Sequence, residues 1–363
     1  MNHKPEYQYK LPIFSGIPLL ALLAAAAGGY LPAVIADEPE KPPAEAPAGA
    51  AAAPAATPET KTAQDAPPQP AASSDAAAAA ADLPAADEIL NQARTRLEGL
   101  DSLECDLQQT AVIGGMRILA AGRYTEAAGN RVHLVFRMYP MSPLKAEDAK
   151  TIALDAPAVE IKSEQLSGEL QQICDGTVVH TIWKNGDTTR VTRRTLTAIQ
   201  EAAASAGGFE SGSVAMDLGV GGLRSLISRL QSSMVFAPVR KVMAGDRALL
   251  EVTGRWSDRV RKDVFGLPEG TFTDARPWVP EYSRVYVDQE TSLPRRIQYL
   301  KHSPNPAEKV ARPLLTLDLR NLRLNTTVDA ALFRFVPPEN VTVEDQTDAV
   351  INAIRSSKTA PKP

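Results

Sequence analysis

Apolar and polar residues alternate through much of the carboxyl-terminal half of the chain, and this pattern predicts β-strands. In Ser283–Leu300 two alternating runs flank a polar stretch, which predicts a hairpin with one apolar and one solvated face. The next run, Pro313–Leu324, repeats the alternation, with apolar positions at Leu315, Leu317 and Leu319. Three such strands in succession predict an antiparallel meander with an apolar concave face.

The same period of two appears earlier in the chain. Cys105–Ile113 and Met116–Thr125 flank a Gly-Gly pair and predict another hairpin. Further strands are predicted from alternation between turn signals, at residues 132–138, 170–174, 177–184, 188–194, 239–243 and 248–256. Pro140–Gly168 is interpreted as a loop with a weak strand around Ala158–Ile161.

Helical periodicity is confined to a few segments. Ala85–Leu100 carries an apolar stripe and two acids in its first turn, and Leu196–Ala206 is a second candidate. The third, Leu223–Phe236, follows a Gly219–Gly222 stretch that we interpret as a helix-entry turn, and its stripe is Leu223, Leu226, Ile227 and Leu230. Ser257–Pro280 is interpreted as an irregular insertion with a short helix. Because apolar stripes require burial, these helices are expected to cover the concave face.

The first 36 residues resemble a secretory signal. Lys4 and Lys10 precede the apolar stretch Ile13–Ile35, and the small or permissive residues that end at Ala36 suit cleavage after that position. An uncleaved signal anchor is the alternative, because the apolar stretch is long enough to cross a bilayer. The chain is therefore expected to be exported, either free in the periplasm or tethered to the inner membrane by this segment.

Residues 37–84 are rich in Ala and Pro and have almost no large apolar side chains. Such a composition cannot bury enough surface to offset chain entropy, so a disordered, semi-extended linker is predicted. Residues 85–346 then form one domain, and residues 347–363 form a carboxyl-terminal helix or tail that is partly disordered. A long spacer is most useful when its amino end is fixed, and this is the best argument for the anchor as the alternative to cleavage.

Composition limits the chemistry that the chain can perform. The formal net charge is −4 and basic runs are short, so nucleic acid is not expected as a partner. No metal site or cofactor is expected, since the four histidines are scattered without ligand spacing. No serine lies in a nucleophile-elbow context, and an enzyme is not predicted.

Cys105 and Cys174 are the only cysteines. In an exported protein such a pair suggests a disulfide, which would stabilise the fold by about 4 kcal/mol by closing a long loop. Two buried free thiols are the alternative. Both remain open at the level of sequence.

The segment Thr327–Asp345 closely resembles the carboxyl-terminal signature of LolA-type periplasmic lipoprotein carriers. The matching positions are Phe333, Phe335, Pro337, Pro338, Val341, Val343 and Asp345. Weaker matches follow in the family's order, among them Asp106–Thr110, Gly122 and the Cys174–Gly176 turn with Trp183. The family's carriers also have an Arg-Pro pair that holds their lid helices closed. Here the matching positions are Ala128 and Gly129, so that latch is absent.

This resemblance implies an α+β fold in which a strongly curved antiparallel sheet forms an incomplete β-barrel, with helices covering the open concave side. It also implies a carrier that binds acyl chains or lipidated proteins and moves lipoproteins or lipids across the periplasm. The residues expected to line the apolar cavity are Ile118, Tyr124, Val132, Leu134, Phe136, Met138, Leu226 and Leu317. The alternative is a membrane-tethered sensor or scaffold that holds a partner protein, such as a membrane protein, through the same face.

Overall fold

The computed structural model describes residues 83–113, 116–141, 168–205, 222–263, 280–302 and 311–359. Within these ranges thirteen strands join into a single sheet. The predicted leader, nearly all of the predicted linker and the weak strand around Ala158–Ile161 lie outside the described residues. Among the residues described, no helix is both long and apolar enough to cross a membrane.

The first six strands form an uninterrupted antiparallel run. Their bounds are β1 (Ser102–Ile113), β2 (Met116–Ala127), β3 (Arg131–Met141), β4 (Gly168–Asp175), β5 (Val178–Asn185) and β6 (Thr188–Thr195). Each pairs with the next in chain order. The turn between β2 and β3 contains Gly129 and Asn130, both at positive φ, as a tight hairpin turn requires.

The remaining strands include the predicted meander. Their bounds are β7 (Met234–Phe236), β8 (Arg240–Ala244), β9 (Arg247–Trp256), β10 (Tyr282–Asp288), β11 (Pro294–His302), β12 (Ala311–Leu324) and β13 (Val343–Asp345). Strands β9 to β12 pair antiparallel in sequence, and β12 then pairs with β1. This long-range pairing joins the two halves into one open sheet. It runs from β13 and β6 at one edge to β7 at the other, with β8 also paired to β9.

Five α-helices and one short 3₁₀ helix complete the described fold. The α-helices are α1 (Ala86–Glu98), α2 (Leu196–Ser205), α3 (Gly222–Ser233), α4 (Asp258–Asp263) and α5 (Thr347–Thr359), and the 3₁₀ helix is Ala330–Phe333. The prediction of a helix through Phe236 was wrong at its end. The last three residues form β7, because pairing of Met234 with Trp256 satisfies their backbone in the sheet.

The predicted fold class is confirmed: the sheet is antiparallel apart from β13, it is strongly curved, and it does not close into a barrel. Helices α1 and α3 lie on its concave side. Their buried stripes, centred on Leu90 and Leu226, belong to the same apolar cluster as the inward-facing residues of the strands. Strand alternation and helix stripes thus meet in one core.

A buried charge network lies on the face of the meander opposite the apolar cluster. Asp318 on β12 accepts hydrogen bonds from Arg296 on β11, with one Nη–Oδ2 distance of 2.9 Å, and from Arg320 at 3.2 Å. All three side chains are nearly inaccessible to solvent. Both guanidinium groups are thus paired with one carboxylate, whose single negative charge balances one of the two positive charges.

Candidate functional site

The residues predicted to line a cavity lie together on the concave face. Seven of them are buried members of the main apolar cluster, and the eighth, Ile118, is half-buried against it. The seven are Tyr124, Val132, Leu134, Phe136, Met138, Leu226 and Leu317. Six come from strands β2, β3 and β12, which are near neighbours in the sheet, and Leu226 comes from α3 above them. The sequence pattern therefore identified one continuous surface.

Helices α1 and α3 pack against each other over this surface. The side-chain amide of Gln231 on α3 donates to the backbone carbonyl of Asp87 on α1, with a distance of 3.3 Å. Beneath them the inward stripe of α3 fills the space above the strands, since Leu223, Ile227 and Leu230 are almost completely buried. In this conformation the protein's own side chains occupy the concave face.

Open space remains at one end of the helix pair, where a cavity of about 190 Å³ lies between α1, α3 and the sheet. The carboxyl end of α1 contributes Leu97 and Leu100, and the turn between β2 and β3 contributes Ala128 to Asn130. The cavity is large enough to hold a few water molecules, and charged or polar side chains, among them Glu126 and Arg224, line part of it. None of the eight predicted residues lines it.

Glu126, at the end of β2, is a half-buried acid that lines this cavity. Its Oε2 atom accepts a hydrogen bond from the Tyr124 hydroxyl at 2.7 Å and another from the backbone N–H of Leu223 at 3.1 Å. Burial raises the pKa of Glu126, although these two donors and the nearby Arg224 favour its charged form. The pKa of Tyr124 is raised well above its usual value, chiefly by burial.

A second hydrogen bond joins the same end of α3 to the sheet. The Arg224 guanidinium donates to the Asn130 side-chain oxygen in the turn between β2 and β3. Glu126, Arg224 and Asn130 all line the cavity, and sequence reasoning missed all three. One local signal was the Gly219–Gly222 entry turn, which marked where α3 begins but not what holds it.

A charged group of α3 and a polar group of the facing strand β11 also lie at this interface. Arg229 on α3 lies near Tyr299 on β11, and the electrostatic attraction between them is felt at both groups. Burial lowers the pKa of Arg229 to about 10 and raises the pKa of Tyr299 to about 12. The concave side is therefore mostly apolar, with a cation contributed by the covering helix.

Cys105 and Cys174 are both free and buried. They lie on β1 and β4, with β2 and β3 between them. Strands in a sheet are about 4.8 Å apart, so three spacings separate the Cα atoms by about 14 Å. A disulfide requires Cα atoms within about 7 Å. This geometry favours free thiols over an intramolecular bridge, and burial raises the pKa of each.

The residues that carried the family resemblance lie in a segment, Phe333–Asp345, that packs along the sheet as a strap. Phe333 is buried, with the Arg131 guanidinium 5.1 Å above its ring. Val341 and Val343 pack with Phe335 on an apolar cluster of β4, β5 and β6, made of Ile173, Ile182 and Val191. The signature is thus explained by packing of the chain's end onto the sheet.

Comparison with known proteins gives a likeness of structure only. No family model matches the chain, and no curated protein matches it. Among solved structures, lipoprotein LppX from Mycobacterium tuberculosis is 11% identical, with 68% of this chain and 97% of that chain covered and a TM-score of 0.31. A LolA superfamily protein from Nitrosomonas europaea is 10% identical, with 70% and 99% covered and a TM-score of 0.26.

An uncharacterized conserved protein from Thermus thermophilus is 12% identical, with 72% of this chain and 98% of that chain covered and a TM-score of 0.34. Structures from the superfamily that the carboxyl-terminal signature resembles are therefore among the matches. At TM-scores of this size such likenesses decide nothing about function.

Proposed function

We propose that the chain binds an acyl chain, of a lipid or a lipidated protein, between the concave face of its sheet and the helix pair α1–α3. The observation that carries the proposal is an apolar strand surface that, in the described part of the chain, is covered by two amphipathic helices, with a cavity where one ends and the other begins. The acyl chain enters at the cavity and extends along the strands as α3 moves aside.

The free energy needed to lift α3 off the strands is comparable to the free energy gained by burying an acyl chain in its place. Lifting the four stripe residues of α3 off the strands costs about 1.5–3 kcal/mol each, or about 6–12 kcal/mol together. An acyl chain of about fourteen methylenes regains about 11 kcal/mol at about 0.8 kcal/mol each. A ligand can therefore take the place of the helix with little net change, as reversible loading and release require.

The proposed role is binding rather than catalysis. His133 forms a hydrogen bond with Gln171 at 3.0 Å, and His180 stacks on Phe335, so both take part in structural contacts. Within the described ranges no group of three His, Cys, Asp or Glu side chains is arranged to hold a metal ion. In the proposed role the protein acts after export, as a free carrier if the leader is cleaved and as a tethered one if it is not.

The test is titration of the purified protein with a fluorescent sixteen-carbon fatty acid. Phe136 and Arg137 are adjacent on β3 and point to opposite faces, the first buried and the second exposed. Phe136→Asp places a charge under the helices and is expected to abolish binding, whereas Arg137→Asp is expected to bind like wild type. Circular dichroism establishes that each variant folds. Wild-type protein that fails to bind at tens of micromolar would exclude the proposal.

A second candidate function, the holding of a partner protein, is favoured by the sheet edge at β7 and β8. Among the described strands, both pair only with β9. Val235 and Met243 are 50% and 59% exposed there. An open edge with exposed apolar side chains can accept an added strand from a partner. This candidate becomes the better one if wild-type protein binds no acyl chain.

A further inference from the structure

The amino end of α3 is held by a carboxylate from the sheet. The Leu223 N–H is one of the donors that the first turn of a helix leaves without a partner inside the helix. It donates both to Glu126 Oε2 and to the Tyr124 hydroxyl oxygen, each at 3.1 Å. The Tyr124 hydroxyl in turn donates to the same Oε2 atom at 2.7 Å. Glu126 therefore caps α3 from another element of the fold.

The charges around this carboxylate favour its ionised form. The amino end of a helix carries a partial positive charge, which attracts an anion. Arg224, in the first turn of α3, adds a full positive charge that also attracts Glu126. Hydrogen bonds to a carboxylate are stronger than those to a neutral group. Burial opposes the charge, but Glu126 is only half-buried beside the cavity.

Gly222, the first residue of α3, leaves room for the carboxylate. Its φ of +65° lies in the left-handed region, which glycine adopts without strain. A Cβ atom at this position would collide with the carboxylate of Glu126. Any side chain here would therefore push the carboxylate away from the Leu223 N–H.

The two ends of α3 are attached to the sheet in different ways. At its carboxyl end the chain passes from Ser233 directly into β7, whose residue Met234 pairs with Trp256 on β9. At its amino end the attachment is through side chains, those of Glu126 and Tyr124 and the hydrogen bond from Arg224 to the turn between β2 and β3. The amino end, beside the cavity, is therefore the end that can be released without breaking the sheet.

We propose that the ionised Glu126 carboxylate is a clasp that holds the amino end of α3 closed over the concave face. The clasp consists of Glu126, Tyr124, Arg224 and the Leu223 N–H, and its release lets α3 swing away from the strands about its junction with β7. Its use, to set how readily an acyl chain enters beside the cavity, rests on the proposed function. A ligand that needs α3 displaced binds less tightly when the open state is less populated, so a stronger clasp gives weaker binding.

Hydrogen exchange of residues 222–233 in the full-length protein without ligand, at neutral pH, tests the clasp. Amides of α3 exchange when the helix opens, so their rates report the opening equilibrium. Glu126→Ala is expected to raise these rates about fivefold, the usual effect of losing a cap. Glu126→Gln keeps an acceptor oxygen but has no charge, and a rise of about threefold is expected. Glu98→Gln, which neutralises another acid lining the same cavity, should exchange like wild type.

Two further variants weaken the clasp while Glu126 remains in the chain. Arg224→Gln removes the cation that attracts the carboxylate, and Gly222→Ala places a methyl group where the carboxylate lies. Both should speed exchange of residues 222–233 and leave exchange of β10 and β11 unchanged. In the Glu126→Ala background Gly222→Ala has no carboxylate to displace, so its effect should be smaller than in wild type.

Several results would overturn the clasp. One is exchange in Glu126→Gln and Arg224→Gln that is no faster than in wild type. Another is equal acceleration in β10 and β11, which would indicate a general loss of stability rather than release of one helix. If Glu126→Ala does not fold, Arg224→Gln decides, since it alters a half-buried residue on the helix and leaves the strands intact.

The titration with fluorescent fatty acid tests the use of the clasp. Its release should lower the dissociation constant by about the factor by which exchange rises. A residue that only stabilises the fold would have the opposite effect, because its loss weakens binding. Arg224→Gln excludes a direct effect of charge on the fatty-acid carboxylate, since loss of a cation would then weaken binding, whereas release of the clasp strengthens it. Variants that bind no more tightly than wild type would overturn this use.

The exchange and fatty-acid experiments separate the two proposals. If exchange follows the expected pattern and no fatty acid binds, the clasp stands and the acyl-chain function fails. If fatty acid binds and exchange of α3 is the same in wild type and the variants, the function stands and the clasp fails.

Discussion

The ring of Phe335 stacks on the ring of His180, with centroids 3.9 Å apart and planes 9° from parallel. This contact joins the chain beyond the last meander strand to β5. The segment then continues into β13, whose parallel pairing with β6 begins at Val343 and Val191. Helix α5 follows and packs against α2. The carboxyl-terminal segment thus covers the β6 edge of the sheet, where an uncovered strand would expose unpaired backbone groups.

Replacement of Phe335 by Ala should destabilise the domain by about 2 kcal/mol, because it removes a half-buried aromatic side chain and its stacking contact. Urea unfolding measures the change. Val336→Ala is the matched control, since Val336 is 72% exposed, and it should leave stability unchanged. Equal unfolding midpoints for the two variants would mean that the Phe335 contact does not contribute to the stability of the domain.

Asp318→Ala should cost about 3–5 kcal/mol, because it leaves the buried charges of Arg296 and Arg320 without this carboxylate. Thermal unfolding followed by circular dichroism measures the loss. Asp106→Ala on neighbouring β1 is the comparison, since its carboxylate accepts from Asn321 at an exposed position. We expect less than about 1 kcal/mol there. A small effect at Asp318 would contradict the network described for the meander.

Gly122→Ala should destabilise the sheet by about 3 kcal/mol or more. A Cβ atom at this position would collide with the Val135 backbone carbonyl on β3, so the pairing of β2 with β3 would have to shift. At Gly99 the same substitution makes only ordinary contacts and should be close to neutral. Unfolding midpoints of the two variants that agree within error would show that the close approach is absent.

The carboxyl-terminal segment should loosen in acid. Hydrogen bonds from the Thr347 hydroxyl and backbone N–H, and one from Arg193, lower the pKa of Asp345 from 3.8 to about 2. A lowered pKa means that the ionised form stabilises the fold, so this contribution is lost as pH falls from about 4 to about 2. Pepsin, which is active in that range, should cleave within 343–359 faster as pH falls.

Asp345→Asn should remove this pH dependence and give fast cleavage throughout the range. Asp348→Asn, in the first turn of α5, should retain the dependence of wild type. Cleavage of wild type that does not accelerate between about pH 4 and pH 2, after correction for pepsin activity, would show that Asp345 does not hold the segment.

Cys105 and Cys174 should be present as two thiols. Reduction of the protein should leave its mass unchanged under denaturing conditions, whereas a bridge would add two hydrogens. In the folded protein both should react slowly with thiol reagents, because they are buried and burial disfavours the thiolate. A mass increase on reduction would require β1 and β4 to lie closer than the sheet order allows.

Local patterns in the sequence were sufficient for most strands and helices. The alternation of Leu315, Leu317 and Leu319 has the period of a strand, and the spacing of Leu223, Leu226, Ile227 and Leu230 has the period of a helix. These periods also determine which side of each element is buried, so the residues of the concave face were predictable. Each of these inferences uses residues close together in the chain.

Tertiary structure decided which elements are neighbours. Alternation places Leu107 and Leu319 on inward faces but does not reveal that they lie opposite each other across β1 and β12. Because the sequence does not reveal which strands are neighbours, it also left open whether the two cysteines are bridged. It also hid the end of α3, because the apolar run Met234–Phe236 suits either a helix or a strand until β9 pairs with it.

The cap at Glu126 depends most completely on the fold. Its carboxylate and the Leu223 N–H are 97 residues apart, and nothing near either residue indicates the contact. A helix that supplies its own capping side chain can be recognised from its sequence, whereas one capped by a strand cannot. Sequence therefore determined the two surfaces that meet on the concave side, and only the packed structure determined how α3 is held over them.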